Sequence, residues 1–425
     1  MARAMKDSGI EWIGEIPEAW ETVRFKYLHT GLNTGEAIDK EYWTANEGDN
    51  PFYTAGLVPI RTTYADFPQW KYTSENDLLL ARNGTPYVYF PVVGACYTDH
   101  IIRATLRAGL NRRFIQYGLQ QSISSIVVDS VSIATWSASL WNKQAIAWPP
   151  YEERERIVGF LDTECARIDA VIEQTRASIE EYKKLKQSVI TQAVTKGIRP
   201  GRKMKDSGVE WIGEIPENFT RRKLKTFSEI ISKGTTPKEM ETEFNDIYTV
   251  RYIKSENIVA NRLQELPLFT ITEQIHFGEL QRSKLSDRDI LFVIAGASIG
   301  KVAIMRKDML PANTNQATCF IRINTQYLKY QKYIWYVLQA DFIKTYIQLF
   351  AVQSAQPNLS MADLGDLFIP VPSEEDEVYH ITEYLDSMCA HIDFLTNQKE
   401  QLLLDLESYK KSLIFEYVTG KKEVV

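Results

Sequence analysis

Residues 152–195 read EERERIVGFLDTECARIDAVIEQTRASIEEYKKLKQSVITQAVT, and no proline or glycine interrupts them after Gly159. Ile168, Val171, Ile179, Tyr182, Leu185 and Val189 fall at helical spacing, which predicts one helix with an apolar stripe. At 1.5 Å per residue it would reach about 65 Å, more than a domain needs for its own core, so it requires a partner. A second copy lies 224 positions on. Leu161-Asp162, Cys165-Ala166, Ile168-Asp169, Ser188, Ile190 and Val194-Thr195 recur as Leu385-Asp386, Cys389-Ala390, Ile392-Asp393, Ser412, Ile414 and Val418-Thr419. Its own stripe is Ile392, Leu395, Leu403, Leu406, Tyr409 and Leu413. Two copies in one chain can pair without a second molecule, and the chain reverses through a whole domain between them. An antiparallel pair with pseudo-twofold symmetry is therefore expected, with an intermolecular coiled coil as the alternative.

Upstream of each copy the duplication is plainer. Residues 5–18 are MKDSGIEWIGEIPE and residues 204–217 are MKDSGVEWIGEIPE, one substitution in fourteen at a separation of 199. Trp12 and Trp211 should pack on neighbouring elements. After each lead-in comes a region with short β-rich runs. In the first, Leu78–Ala81 and Tyr87–Phe90 flank a turn at Arg82–Pro86, while Pro59 demotes 56–60 to an edge or a loop. In the second, Ile290–Ile294 and Val302–Met305 flank Ala295–Lys301. Aligning Ser74, Asp77, Leu79 and Gly84 with Ser286, Asp289, Leu291 and Gly296 takes the single separation of 212. Trp148-Pro149-Pro150 and Pro370-Val371-Pro372-Ser373 then lead into the long helices, with acidic first turns that suit the helix dipole and Ser373 as an N-cap. The fold class is thus mixed α/β or α+β. Its expected parts are a globular domain at 1–150, a long helix at 151–200, a second globular domain at 201–373 and a second long helix at 374–425.

A chain of 425 residues with 44% hydrophobic and 12% aromatic content is expected to build two or three packed domains. No apolar run approaches a membrane span, and the opening MARAMKDSGIEW lacks the apolar core of a secretion signal, so a soluble cytoplasmic protein is expected. Cys96, Cys165, Cys319 and Cys389 form no CxxC pair, and the five histidines form no HExxH. Small buried thiols and the absence of a metal site follow. The net charge of −6 divides unevenly: basic and acidic residues number 11 and 11 in 21–148, 9 and 9 in 151–200, 19 and 15 in 220–373, and 5 and 12 in 374–425. The second globular region is thus net basic, which permits DNA contact, whereas the acidic last helix suits a protein partner better than phosphates.

Two motifs resemble catalytic signatures and fail on inspection. Trp148-Pro149-Pro150-Tyr151 has the prolines of an adenine-methyltransferase PPY core, but Trp148 cannot accept the hydrogen bond that the preceding Asn, Asp or Ser makes there. Gly296-Ala297-Ser298-Ile299-Gly300-Lys301-Val302 is one residue short of a phosphate-binding loop and lacks its terminal hydroxyl. It reads instead as a tight turn presenting Ser298 and Lys301 outward. Polar stretches suited to base edges and phosphates supply the candidate DNA contacts. These are Arg82, Asn83 and Thr85 in the first domain, and Lys233, Thr235, Thr236, Lys238, Lys254, Ser255, Asn257, Ser298, Lys301, Asn315, Gln316, Gln353 and Gln356 in the second.

Taken together, the repeated EWIGEIPE lead-ins, the Gly234-Thr235-Thr236-Pro237 turn, Ile299-Gly300-Lys301-Val302, the proline helix entries and the endings KLKQSVITQAVTKG and YKKSLIFEYVTGKK resemble a specificity subunit of a type I restriction-modification system. The first domain departs from the pattern, since no Gly-Thr-Thr-Pro turn follows its lead-in. The resemblance implies a non-catalytic reader of a bipartite double-stranded DNA site. Each globular domain would be a target-recognition domain, held apart from the other by the helices. This chain would bind no cofactor. Two methyltransferase subunits would use S-adenosylmethionine to methylate adenine N6, and restriction (motor) subunits would use ATP and Mg. A self-sufficient adenine methyltransferase and a helical scaffold without DNA reading are the alternatives.

Overall fold

The computed structural model describes residues 3–83, 86–124, 135–351 and 357–424. Among them the helices are α1 (Arg112–Ser124), α2 (Ala138–Lys143), α3 (Tyr151–Lys196), α4 (Glu273–Phe277), α5 (Gln331–Val337), α6 (Asp341–Phe350), α7 (Met361–Asp366) and α8 (Glu375–Val418). The chain forms two compact units, Met1–Arg176 with Gln401–Val425, and Ala177–Glu400. The division falls inside both long helices.

In the first unit Met5–Asp7 pairs antiparallel with Glu15–Pro17, giving the lead-in hairpin. The central sheet has the order His29–Thr34, Ile101–Leu106, Asp77–Ala81, Val88–Tyr89. The strands predicted on either side of Arg82–Pro86 are thus present, with Leu79 opposite Tyr89, while Gly84 and Thr85 between them lie outside the described residues. Residues 56–58 are loop, and the strand there begins at Ile60. A second sheet contains Asn50–Tyr53, which runs parallel to Cys96–Tyr97. Ala145–Trp148 pairs with Glu21–Arg24 and feeds α3.

The second unit repeats this plan. Met204–Asp206 pairs with Glu214–Pro216, the central sheet has the order Ser228–Lys233, Thr318–Ile323, Ile290–Val293, Val302–Ile304, and Phe368–Pro372 pairs with Phe219–Lys223. The separation of 212 is visible at atomic detail. The Ser74 amide donates to Asp77 Oδ2 at 2.7 Å, and the Ser286 amide donates to Asp289 Oδ2 at 2.7 Å. Thr318–Ile323 answers to Ile101–Leu106 at a separation of 217, and the short helices α2 and α7 at 223. Each of those helices is capped by a serine, Ser137 or Ser360, that accepts from the amide three residues on.

Each unit contains an antiparallel pairing of the two long helices. In the first, Ile157, Leu161, Cys165, Ile168 and Ile172 of α3 share a core with Leu413, Ile414 and Val418 of α8 and with Ile13, Ile16 and Trp20 of the lead-in. Lys410 Nζ meets Asp169 Oδ1 at 2.6 Å, and Arg176 meets Glu407 at 3.2 Å, so α8 recedes as α3 advances. In the second, Ile190, Ala193 and Val194 of α3 share a core with Val378, Ile381, Leu385 and Cys389 of α8, and Lys186 Nζ meets Asp393 Oδ1 at 2.6 Å. Asp169 and Asp393 are repeat equivalents, as are Lys186 and Lys410, so the same ion pair forms twice with its donor and acceptor helices exchanged.

The stripe differs in detail from the sequence reading. Val171, Leu185 and Tyr409 are exposed, whereas Ile157, Leu161, Cys165 and Ile172 line the buried face. A 3.6-residue period drifts around a long helix, so over twelve turns the burying residues change register. Ser373 is not an N-cap: its hydroxyl donates to the Asn218 carbonyl at 2.5 Å and is thereby spent on the neighbouring strand. Trp12 packs on Phe415, and Trp211 on Tyr346 and Phe350, as expected of the lead-ins.

Polar clamps also fix each globular part to its stretch of long helix. Asp162 accepts from Arg113 Nε at 2.7 Å and from the Tyr117 hydroxyl at 2.6 Å. Asp386, its equivalent, accepts from Lys332 Nζ at 2.5 Å and from the Tyr336 hydroxyl at 2.7 Å. Burial first and the aspartate second push both phenols well above the ordinary tyrosine range, so both remain donors. At the helix starts Glu153 accepts from Arg3 and from Trp20 Nε1, and Glu377 pairs with Arg202 and Asn218. All four cysteines are buried and free. Among the described residues no helix is long and apolar enough to cross a membrane.

Candidate nucleic-acid interface

Strand register decides which loops meet. In the second unit Lys233 lies opposite Cys319, Val293 opposite Thr318, and Ile253 beside Thr314 in parallel. The residues that follow Lys233, Ile253, Val293 and Thr314 therefore leave the sheets at one end. Hydrogen bonds tie them together there. The Gly234 amide donates to the Asn315 carbonyl at 3.1 Å, Thr236 Oγ1 to Gln316 Oε1, and the Ile294 amide to the Ala317 carbonyl at 2.8 Å. The Tyr252 hydroxyl donates to the Thr235 carbonyl at 2.9 Å, and burial pushes that phenol up to about 12. Gly234 is required by space: a Cβ there would sit 1.6 Å from the Thr314 carbonyl oxygen.

Of the sequence candidates, Lys233, Thr235, Thr236, Lys238 and Gln316 are exposed at or beside this end, with Asn315 half-buried among them. Asn315 Oδ1 and Thr318 Oγ1 are enclosed without a hydrogen-bond partner among the described residues. Lys254 lies beside Asn315, half-buried, with its ammonium 3.7 Å from the Phe269 ring centroid. Ser255 Oγ is hydrogen-bonded to Glu256. Ser298 and Lys301 belong to the half-buried turn between Ile290–Val293 and Val302–Ile304, where Ile299 packs on the main core, so the turn presents less outward than expected. Asn257 leaves the set. It is buried, accepts from the Lys254 amide at 3.0 Å and donates to the Pro267 carbonyl at 2.7 Å, so its amide closes a local turn and has no face free for a base. Thr85, Gln353 and Gln356 lie outside the described residues.

The first unit assembles the same end from different residues. Ala81 is opposite Ile101, and Tyr53 beside Tyr97, which brings Arg82, Asn83 and the Thr98–His100 turn together. Asn83 Nδ2 is 2.7 Å from His100 Nδ1, and Arg82 is exposed, with its guanidinium 3.4 Å from the Asp99 carbonyl. The first lead-in is followed by no Gly-Thr-Thr-Pro turn, as the sequence reading has it, but the structure places a glycine at the same point. Gly35 occupies the place of Gly234, 199 residues earlier, and a Cβ on it would lie 2.0 Å from the Tyr97 carbonyl oxygen. Glu36, which pairs with Lys71, stands where the second unit has Thr235. The signal was present, because the lead-in separation of 199 simply continues; the absence of Thr-Thr-Pro concealed it.

Chemically these ends offer hydroxyls, amides and cations, and among the described residues no group of His, Cys, Asp and Glu is placed to hold a metal ion. Such donors and acceptors suit base edges and phosphates. Residues 216–404 match the family model of the type I restriction modification DNA specificity domain. Over those residues the chain is similar to this domain. Two curated relatives share the likeness. The specificity subunit of the EcoBI type I restriction enzyme from Escherichia coli is 24% identical over 73% of this chain and 66% of its own length. The specificity subunit of MjaVIII from Methanocaldococcus jannaschii is 23% identical over 96% of this chain and 94% of its own. A chain solved in work on complex assembly and conformational transition of the type I R-M system superposes with a TM-score of 0.66 at 14% identity, covering 96% of this chain and 99% of that one. That last likeness concerns the fold. Within the matched residues, the Gly234 turn is the element that gathers the polar loops.

Proposed function

We propose that this chain is the specificity subunit of a type I restriction-modification system and reads a bipartite double-stranded DNA site without itself catalysing a reaction. The carrying observation is the duplicated sheet end, where a sterically obligatory glycine, Gly35 or Gly234, gathers polar loops of different sequence in each unit. The same frame with different side chains is what two unlike half-sites require. Residues 1–150 and 201–373 serve as the target-recognition domains, and the long helices at 151–200 and 374–425 as spacers that dock two methyltransferase subunits. Those partners supply S-adenosylmethionine chemistry at adenine N6, restriction subunits supply ATP- and Mg-dependent cleavage, and the complex works in the cytoplasm. Co-expression with the neighbouring methyltransferase, followed by methylome sequencing, tests the reading. A stable complex with a new bipartite methylation motif is the expected result; no complex and an unchanged methylome would refute it. Calorimetric binding of S-adenosylmethionine to the isolated chain would favour a self-sufficient methyltransferase instead.

A further inference from the structure

The two lead-ins differ in one respect that their near-identity hides. In the second unit Arg221 donates to the Ser207 and Gly208 carbonyls, each at 2.8 Å, and its guanidinium lies over the Phe368 ring at 5.4 Å. The first-unit hairpin has the same conformation. Gly9 and Gly208 both have positive φ, and each donates its amide to the aspartate two residues back. Yet Thr22 stands where Arg221 does, and Ala145 where Phe368 does, as the strand registers of the two units show. Two large side chains are replaced by small ones at diagonal positions of the strand pair, two residues apart in register. The space they leave is a cleft of about 680 Å³ lined by Ser8, Gly9, Thr22, Arg24, Lys143 and Ala145, among others.

Charge changes with volume. In the second unit Asp366 sits between Lys223 and Lys225, 3.0 and 2.7 Å from their ammonium groups. The first-unit counterparts of the lysines are Arg24 and Lys26, and the counterpart of Asp366, at the last residue of α2, is Lys143. A carboxylate between two cations has become a third cation. The Arg24 and Lys143 side chains have no hydrogen-bond or ion-pair partner among the described residues, and Glu11 is the one carboxylate among the cleft's described lining residues. The Ser8 and Gly9 carbonyls, whose equivalents hold a guanidinium, receive no side-chain donor among the described residues.

We propose that this cleft accepts an acidic segment of a partner polypeptide, whose carboxylates take the place of Asp366 against Arg24 and Lys143 while its backbone amides satisfy the Ser8 and Gly9 carbonyls. A polypeptide supplies both groups at once; a phosphate supplies only the acceptor. Position also argues against DNA. The cleft adjoins the start of the His29–Thr34 strand, and the candidate interface lies beyond its other end, about 20 Å away for six extended residues. In the second unit Arg221 and Phe368 stand at the equivalent positions, so the partner would engage one of the two repeats.

The test uses the full chain and a fluorescein-labelled tetraglutamate peptide, followed by fluorescence anisotropy at low ionic strength. Saturable binding is expected, weakened at least tenfold in Lys143→Asp, which restores the carboxylate found in the second unit. The Thr22→Arg/Ala145→Phe double variant, which refills the space, should weaken it similarly. Lys344→Asp, an exposed charge change in the other unit, serves as the control for bulk charge. No saturable binding by the parent chain, or an equal loss in Lys344→Asp, would overturn the proposal. So would displacement of the peptide by random-sequence duplex, combined with weaker duplex binding in Lys143→Asp, since the cleft would then belong to DNA. Methylation motifs read independently of this peptide, so failure here leaves the half-site reading standing.

Discussion

Replacing Gly35 by alanine should abolish reading of one half-site while sparing the other. The new Cβ would lie 2.0 Å from the Tyr97 carbonyl oxygen and 2.5 Å from that of Thr98, whereas ordinary contacts begin near 3.4 Å. Relief therefore requires a backbone shift of about 1.4 Å, in a turn held by Gly35 N to Ile101 O at 3.3 Å and Glu36 N to Tyr97 O at 3.1 Å. Losing those two bonds costs about 0.5–1.5 kcal/mol each, and overpacking adds about 1–3 kcal/mol. A local penalty of roughly 2–6 kcal/mol corresponds to about a thirtyfold loss or more where the turn positions a reading loop. Methylome sequencing of cells carrying the variant together with its methyltransferase is the assay. The first half-site should become degenerate and the second stay intact; Gly234→Ala should give the reciprocal pattern. Gly31→Ala is the internal control, because its Cβ would meet only Asn33 Nδ2, at 3.9 Å. Unaltered methylation in Gly35→Ala, or equal damage in Gly31→Ala, would refute the steric argument.

Asp162→Ala should destabilise the first unit by about 2–4 kcal/mol in urea denaturation, because the Arg113 guanidinium and the Tyr117 hydroxyl both lose their acceptor; Asp386→Ala should do the same to the second. Lys410→Asp should cost about 0.5–1 kcal/mol and be largely restored by Asp169→Lys, a coupling that a double-mutant cycle reads directly. Burial alone would raise the Glu153 pKa, but hydrogen bonds from Arg3 and Trp20 outweigh it and hold the carboxyl below its usual value. A depressed folded-state pKa gives stability that is complete above the unfolded value and lost as pH falls through the folded one. Melting temperature measured from pH 6 down to pH 3 should therefore fall less steeply in Glu153→Gln than in the parent chain. Residues inserted within 170–190 should change the spacer between half-sites and leave the half-site bases unaltered, again read by methylome sequencing.

Much of the frame was legible because it is written twice. The long helices, the lead-ins and the strand-turn-strand pairs at 77–89 and 290–304 each leave a periodic or repeated trace in the sequence. Which helix residues face inward was less legible, because Val171 and Ile172 are both apolar neighbours and only packing selects Ile172. The candidate interface was legible in the second unit, where Thr235, Thr236 and Gln316 stand out as polar loops. In the first it was obscured, since Glu36, Lys71 and His100 come from three separate stretches that only strand pairing unites. Asn257 shows the converse: a polar residue in a loop whose amide is consumed by its own turn.

The separations between repeat equivalents grow along the chain: 199 at Gly35 and Gly234, 212 at Ser74 and Ser286, 217 at Ile101 and Thr318, 223 at Ser137 and Ser360, and 224 in the long helices. Every added residue thus accumulates between the glycine turn and the helix entry, and almost none before or after. Chain length has been free to change only inside a cassette whose two junctions stay constant. Genetic exchange at those junctions would deliver a new reading surface onto an unaltered chassis, which makes target preference the most readily replaced property of the molecule and its assembly the least.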